Sequence, residues 1–323
     1  MNKLHLTVEQ PGKNVLTFSP DNDSALAMLA ADHINDLEMH SFLNLFNVIY
    51  SQLELFVREE AHQPELKEAK DLTKTLVSEA KNGNSDIFVP GHISDYKNSV
   101  RRALHSVAKN NRDENIHSDV KEAQSLMEYV FSVLDDRLEE LLERIRQPDA
   151  WHRFTTEEIR DDLQSFLTAM EKNSKGRFRF VRNIACKGDN DYLLHLEVGS
   201  DNGNSIEMPL LFKDVIRDLV ANARKYTRPG GYLQIGICQR EKTLRFVVAD
   251  NGIGIPADEL PLVFQYGYRA SNAGKIRTMG GGFGLTKALH VINKFNGHLW
   301  IESQINSGTK ITIELPLPGS DQV

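Results

Sequence analysis

Phe42, Phe46, Ile49, Leu53 and Phe56 recur at helical spacing, so residues 23–60 predict one long helix with a single apolar seam. Gln63-Pro64 ends it. Leu66, Ala69, Leu72, Leu76 and Ala80 mark a shorter helix over 65–81. Loop signals follow at 82–86 and at Pro90-Gly91, and Ser94 is placed to cap a third helix running to Ala108. After a polar break at 110–115, Val120, Gln124, Met127, Phe131, Leu134, Leu138, Leu141 and Ile145 step by four and three. That repeat is a coiled-coil or bundle seam, over 117–147. Asp135, Asp136, Glu139, Glu140 and Glu143 lie on its other faces and read as a solvated surface. Pro148 closes the helix.

Beyond Pro148 the pattern becomes mixed. Strands are predicted at 151–154, 177–184, 192–198, 232–238, 244–249, 298–303 and 310–315, with helices at 156–172, 214–226 and 284–295. Residues 1–20 read as a short leader closed by Ser19-Pro20. The fold class is therefore α+β. An all-α region, 1–149, carries an inserted helical pair at about 64–116; an α/β sandwich with helices on one face of a mixed sheet follows over 150–318.

Bulk properties narrow the partners. The chain has 323 residues, enough for about two domains, and a net charge of −7. That balance gives no basic face for nucleic acid. Cys186 and Cys238 sit in no metal-ligand spacing and suit a reducing compartment. No signal pattern opens the sequence and no apolar run approaches the length of a membrane span, so a cytoplasmic location is expected.

The chemistry concentrates in three blocks. Asp250-Asn-Gly-Ile-Gly254 follows the apolar strand 244–249. A carboxylate there can accept a hydrogen bond from an adenine amino group, while Gly252 and Gly254 let the backbone approach the base. About thirty residues upstream, Asp218 and Asn222 share one helix face at i and i+4, with Lys225 and Tyr226 a turn further on. The Asn222 amide oxygen suits Mg²⁺, a hard cation, and Asp218 can polarise a metal-bound water or act as a base. Lys225 can neutralise phosphate charge and Tyr226 can pack near ribose or base. About thirty residues downstream, Gly280, Gly282 and Gly284 expose backbone amides ahead of a helix N-terminus, a phosphate-binding arrangement that Lys275 and Arg277 can reinforce. Thr309, in the closing strand, can reach toward phosphate.

In order and spacing these blocks resemble the GHKL ATPase superfamily, and most of all its sensor histidine kinase branch, over residues 150–318. The resemblance implies ATP and Mg²⁺ as cofactors, with Asn222 holding the metal. Asp218 stands where the superfamily has Glu, Asp or Asn. Phe264 and residues 266–271 resemble the segment before the kinase lid, and 273–284 the lid itself.

Residues 38–49 resemble the histidine box of these kinases, with His40 at the phosphorylated position. Geometry agrees: His33, Asp36, His40, Asn44, Asn47, Ser51 and Glu54 fall within about 40° of one line on a helix. A neutral imidazole there can attack a γ-phosphoryl group. Ser41 stands where the family has an acid, and Asp36, one turn back, can substitute for it; Leu45 replaces a proline. His33, His105 and His117 are competing acceptors.

The expected function is a soluble histidine autokinase that passes its phosphoryl group to an aspartate of a response regulator receiver domain. By resemblance it is a homodimer through a four-helix bundle, with a separate sensor protein docking on residues 1–116. Two alternatives stand beside it: a degenerate kinase serving as phosphotransfer or scaffold protein, and a GHKL kinase acting on Ser or Thr.

Overall fold

The apolar seams of four helices converge on one core. In this computed structural model, which describes residues 5–10, 13–18, 31–57, 64–82, 84, 88–110, 114–147, 149–174, 176–201, 203–274 and 282–319, the helices are α1 (Ala31–Val57), α2 (Pro64–Lys81), α3 (Pro90–Asn110) and α4 (Glu114–Arg146). Phe42, Phe46, Ile49 and Leu53 of α1 are fully buried against Leu66 and Ala69 of α2, Val100 and Ala103 of α3 and Phe131 and Leu134 of α4.

Side-chain pairs fix the direction of every helix. Glu54 meets Lys70 while Tyr50 meets Lys74; Ser106 meets Glu65 while Tyr96 meets Thr73; Lys97 meets Asp135 while Arg101 meets Glu128. In each pair of helices one number rises as the other falls, so neighbours are antiparallel. The resemblance leads one to expect a bundle shared by two protomers; here one chain supplies all four helices, because residues 64–110 bring two further inward seams.

Two local expectations are corrected. The third helix starts at Pro90 rather than after Ser94, since proline is well suited to a first helical position. Leu72, expected on the buried side of α2, is exposed, and Thr73 turns inward with its hydroxyl bonded to Ala69 O and Tyr96 Oη.

Residues 30–148 form one compact unit, and residues 1–29 join 149–323 in the other. The second unit is built on an eight-stranded sheet ordered β1-β2-β9-β10-β8-β7-β5-β4. Its strands are β1 (His5–Gln10), β2 (Lys13–Phe18), β4 (Phe180–Val181), β5 (Tyr192–Ser200), β7 (Tyr232–Arg240), β8 (Thr243–Asp250), β9 (His298–Gln304) and β10 (Gly308–Pro316). Only the β4–β5 and β5–β7 pairs are parallel. A separate ribbon pairs β3 (Trp151–Thr155) with β6 (Ser205–Pro209). One sheet face, carrying Leu233, Ile235, Phe246, Val248, Ile301 and Ile313, is buried under α5 (Thr156–Asn173), α6 (Leu210–Tyr226) and α7 (Gly284–Lys294). Thr155 and Glu158 close a capping box at the start of α5. Among the described residues no helix is long and apolar enough to cross a membrane.

Residues 5–10 and 13–18 of the expected leader are part of this sheet. Residues 14–18 pair antiparallel with 299–303, placing Leu16 opposite Ile301. Leu16 and Phe18 are buried in the core, and the Phe18 ring lies 4.4 Å from that of Phe264. The division into 1–149 and 150–318 therefore differs from the folded units at the N-terminus, where a strand pairs far along the chain.

Leu16→Ala should cost about 2–5 kcal/mol in the C-terminal unit, as for other buried leucines. Both tryptophans, Trp151 and Trp300, lie in that unit, so denaturation followed by their fluorescence reads it directly. An unmoved midpoint would return residues 13–18 to the status of a leader.

Candidate functional site

Helix α6 buries Phe212, Val215, Ile216, Leu219 and Ala223 and turns Asp218, Asn222, Lys225 and Tyr226 to its half-exposed face. The start of α7 lies against that face. A Cβ on Gly284 would come within 2.9 Å of Asn222 Nδ2 and 3.5 Å of Asp218 Cβ, so the helix start lies directly against these two side chains. The N-cap of α7 is Phe283, whose side chain caps none of the first-turn amides. Asp218 Oδ2 is buried and makes no hydrogen bond among the described residues; Lys287 Nζ faces it at 3.5 Å.

Asp250 ends β8 on the other side. Its Oδ1 accepts a hydrogen bond of 2.8 Å from Gly252 N–H. Burial pushes this carboxyl up to about 6, against hydrogen bonds from Gly252, Thr309 and Thr227 that favour the ionised form. A Cβ on Gly252 would stand 2.4 Å from Tyr226 O, and Ile253 N–H donates to that same carbonyl at 3.1 Å. Gly254, at φ +65°, lies so near Gln304 O that a Cβ would be 2.0 Å from it. The loop after β8 is thus clamped between the end of α6 and the β9–β10 turn. Thr309 sits beside Asp250, and its hydroxyl is 2.8 Å from Ser303 Oγ.

Residues 257–274 are folded back on themselves. Glu259 accepts from Ser271 N–H, Ser271 Oγ and Tyr268 Oη. Phe264 is a core side chain here. The ring centroids of Tyr266, in the segment before the expected lid, and Phe283, near the lid's end, lie 4.6 Å apart. A Cβ on Gly282, at φ +79°, would clash with Tyr268 O at 2.6 Å. Lys275, Arg277 and Gly280 lie outside the described residues. Burial, helped by the Arg269 charge, pushes Lys225 down to about 8.

The fold therefore brings together Asp218, Asn222 and Gly284 directly, and ties them to Asp250, Gly252 and Gly254 through Tyr226. His40 belongs to the other unit; it lies on α1, with its side chain outside the described residues. Exposed Asn44, Asn47 and Ser51 continue its line along the helix, opposite the buried seam. Lys287 escaped the reading of the sequence. Its signal was there: three residues after Gly284 and four before Val291, it falls on the apolar stripe of α7.

The Asn222 amide side chain, beside the start of α7, fits a cation that keeps several waters and takes the rest of its ligands from phosphate.

Residues 207–319 match the family described as histidine kinase-, DNA gyrase B-, and HSP90-like ATPase. The signal transduction histidine-protein kinase BaeS of Escherichia coli K12 is 35% identical over 143 residues, 44% of this chain and 27% of BaeS. The sensor histidine kinase WalK of Bacillus subtilis 168 is 30% identical over 157 residues, 48% of this chain and 23% of WalK. The chain thus spans about a quarter of the length of these curated relatives. Among solved structures, that of the mycobacterial sensor histidine kinase MprB aligns over 52% of this chain and 97% of its own, with 20% identity and a TM-score of 0.37. A likeness that loose bears on nothing further.

Nucleotide affinity should be greatest between pH about 6 and about 8. Below that window Asp250 is protonated and loses the charge of its acceptor; above it Lys225 loses its own charge. Titration of ADP at pH 5, 7 and 9 should show both limbs. Asp250→Asn should remove the acid limb and weaken binding by about 10–100-fold, the range of a charged hydrogen bond. Lys225→Gln should remove the alkaline limb. Two limbs unchanged in the variants would place the nucleotide elsewhere.

Proposed function

We propose, from a C-terminal segment that belongs to the histidine kinase-, DNA gyrase B- and HSP90-like ATPase family, that this chain is an ATP-dependent protein-histidine kinase. The observation that carries the reading is the convergence of Asp218, Asn222 and the Gly284 helix start on one spot, tied to the buried carboxylate of Asp250. The long identity with sensor histidine kinases supports a histidine rather than a Ser or Thr acceptor.

Asp250 accepts from the adenine amino group, and Gly252 and Gly254 let the backbone lie along the base. Lys225 and the first amides of α7 meet phosphate oxygens. The Asn222 amide oxygen holds Mg²⁺, which when bound neutralises phosphate charge. His40 is the nucleophile. Its imidazole nitrogen forms a bond to the γ-phosphorus as the bond to the ADP oxygen breaks. Asp36, one turn back on α1, stands in for the adjacent acid, and Asp218 polarises a metal-bound water or acts as a base in the nucleotide site. The phosphoryl group then passes to an aspartate carboxylate of a receiver domain, at the exposed stripe of α1 that Asn44, Asn47 and Ser51 continue.

The location is taken to be cytoplasmic. Any homodimer uses outer faces of the bundle, since the inner seams of one chain already enclose a core. A sensor protein docks on outer faces of α1–α3 rather than on residues 13–18, which are engaged in the sheet.

Incubation with γ-labelled ATP and Mg²⁺ should give an acid-labile, alkali-stable label that is lost in both His40→Gln and Asn222→Ala. A label that survives His40→Gln moves the acceptor. ATP binding without any label, with or without partner proteins, favours a degenerate kinase.

A further inference from the structure

We infer that Lys287 is a positioning residue that holds the Asp218 carboxylate in place for phosphoryl transfer, an assignment that rests on the kinase reading above. Lys287 is only 2% exposed, on the buried stripe of α7 one turn past Gly284. An ammonium in such a place is costly unless it is paired. Two carboxylates pair with it, Asp214 Oδ2 at 3.4 Å and Asp218 Oδ2 at 3.5 Å. They sit one turn apart on α6.

The two are not equivalent. Asp214 is buried and also meets Arg217 Nη1 at 3.6 Å, and Arg217 in turn holds Asp162 of α5 at 2.6 Å. Charges alternate along this line: Asp162, Arg217, Asp214, Lys287, Asp218. Its first four members tie α5, α6 and α7 together. Asp218 is the last, partly exposed, beside Asn222 and the start of α7. Its Oδ2 makes no hydrogen bond among the described residues, so the fixed ammonium is what selects its orientation. Asp214 with Arg217 immobilises Lys287, and Lys287 immobilises Asp218. The reach from glycine box to carboxylate thus runs through a single buried side chain.

A merely structural lysine would serve only to balance Asp214, and a pair of variants separates the two roles. Lys287→Met keeps the length of the side chain and removes the charge. The double variant Lys287→Met/Asp214→Asn removes the charge that a structural lysine would have balanced, and gives a folded protein where the single variant melts early. Phosphorylation rate, ADP dissociation constant, melting temperature and a crystal structure are measured for each. The expected result is a rate lowered about 10–100-fold in both variants, as for a group misplaced by about 1 Å, with ADP affinity within roughly threefold of wild type. In the crystal the Asp218 carboxylate should turn away by about 1 Å or more. A double variant that recovers the wild-type rate overturns the inference, as does an Asp218 carboxylate that stays in place in both variants. If the wild type yields no phosphohistidine, the kinase reading falls, and the carboxylate's position still decides the role of Lys287.

Discussion

Two backbone contacts admit no side chain, and the site depends on them. The carbonyl of Tyr226 occupies the space a Cβ of Gly252 would take, and the carbonyl of Gln304 occupies that of Gly254. Through the first, the end of α6 is locked to the loop after β8. Through the second, that loop is locked to the β9–β10 turn. Any larger residue would push apart elements that hold Asp250 on one side and Asn222 on the other. Because tightly packed interiors yield little, a shift of under an ångström there would be felt across the whole cleft.

The helical half rests on a different kind of contact. Its core is apolar and aromatic, with Phe42 and Phe88 rings 4.8 Å apart and Phe46 meeting Tyr96 edge-on at 5.7 Å. The ion pairs that set helix direction lie mostly at the surface, where each is worth at most about 1 kcal/mol. They choose among arrangements that the seams already make stable. An even number of antiparallel helices also returns the chain to the end at which it entered, the arrangement an inserted domain needs.

Much of this was legible in sequence because it is local. The 3.5-residue seam of α4, the alternating strands and the glycine spacings each declare themselves within a dozen residues. What escaped depends on partners far along the chain. Residues 13–18 read as leader because Leu16 and Phe18 make a short apolar pattern whose meaning comes from β9. Residues 205–209 were unassigned because β6 exists by pairing with β3. The predicted strand at 177–184 shrank to two residues, since Arg179 N–H is taken by the side chain of Asp191 and residues 184–186 form a 3-10 turn. Of the site, residue types and order were visible; the pairing of Lys287 with α6 was not, because no spacing rule connects residue 287 to residues 214 and 218.

The hairpin at residues 5–18 makes the C-terminal domain discontinuous, and that sets an order of events at the ribosome. Residues 13–18 emerge long before the strand they bond, 298–304. At ordinary rates of synthesis the delay is on the order of 14–60 s, long enough for the four helices, whose contacts are local by comparison, to fold in between. Throughout that interval the edge of β2 that bonds β9 stays open, and its Leu16 and Phe18 have no core. An open apolar strand edge is a template for the wrong neighbour. The nascent chain therefore carries this hazard from β2 until β9 is made, and pairing with β9 removes it.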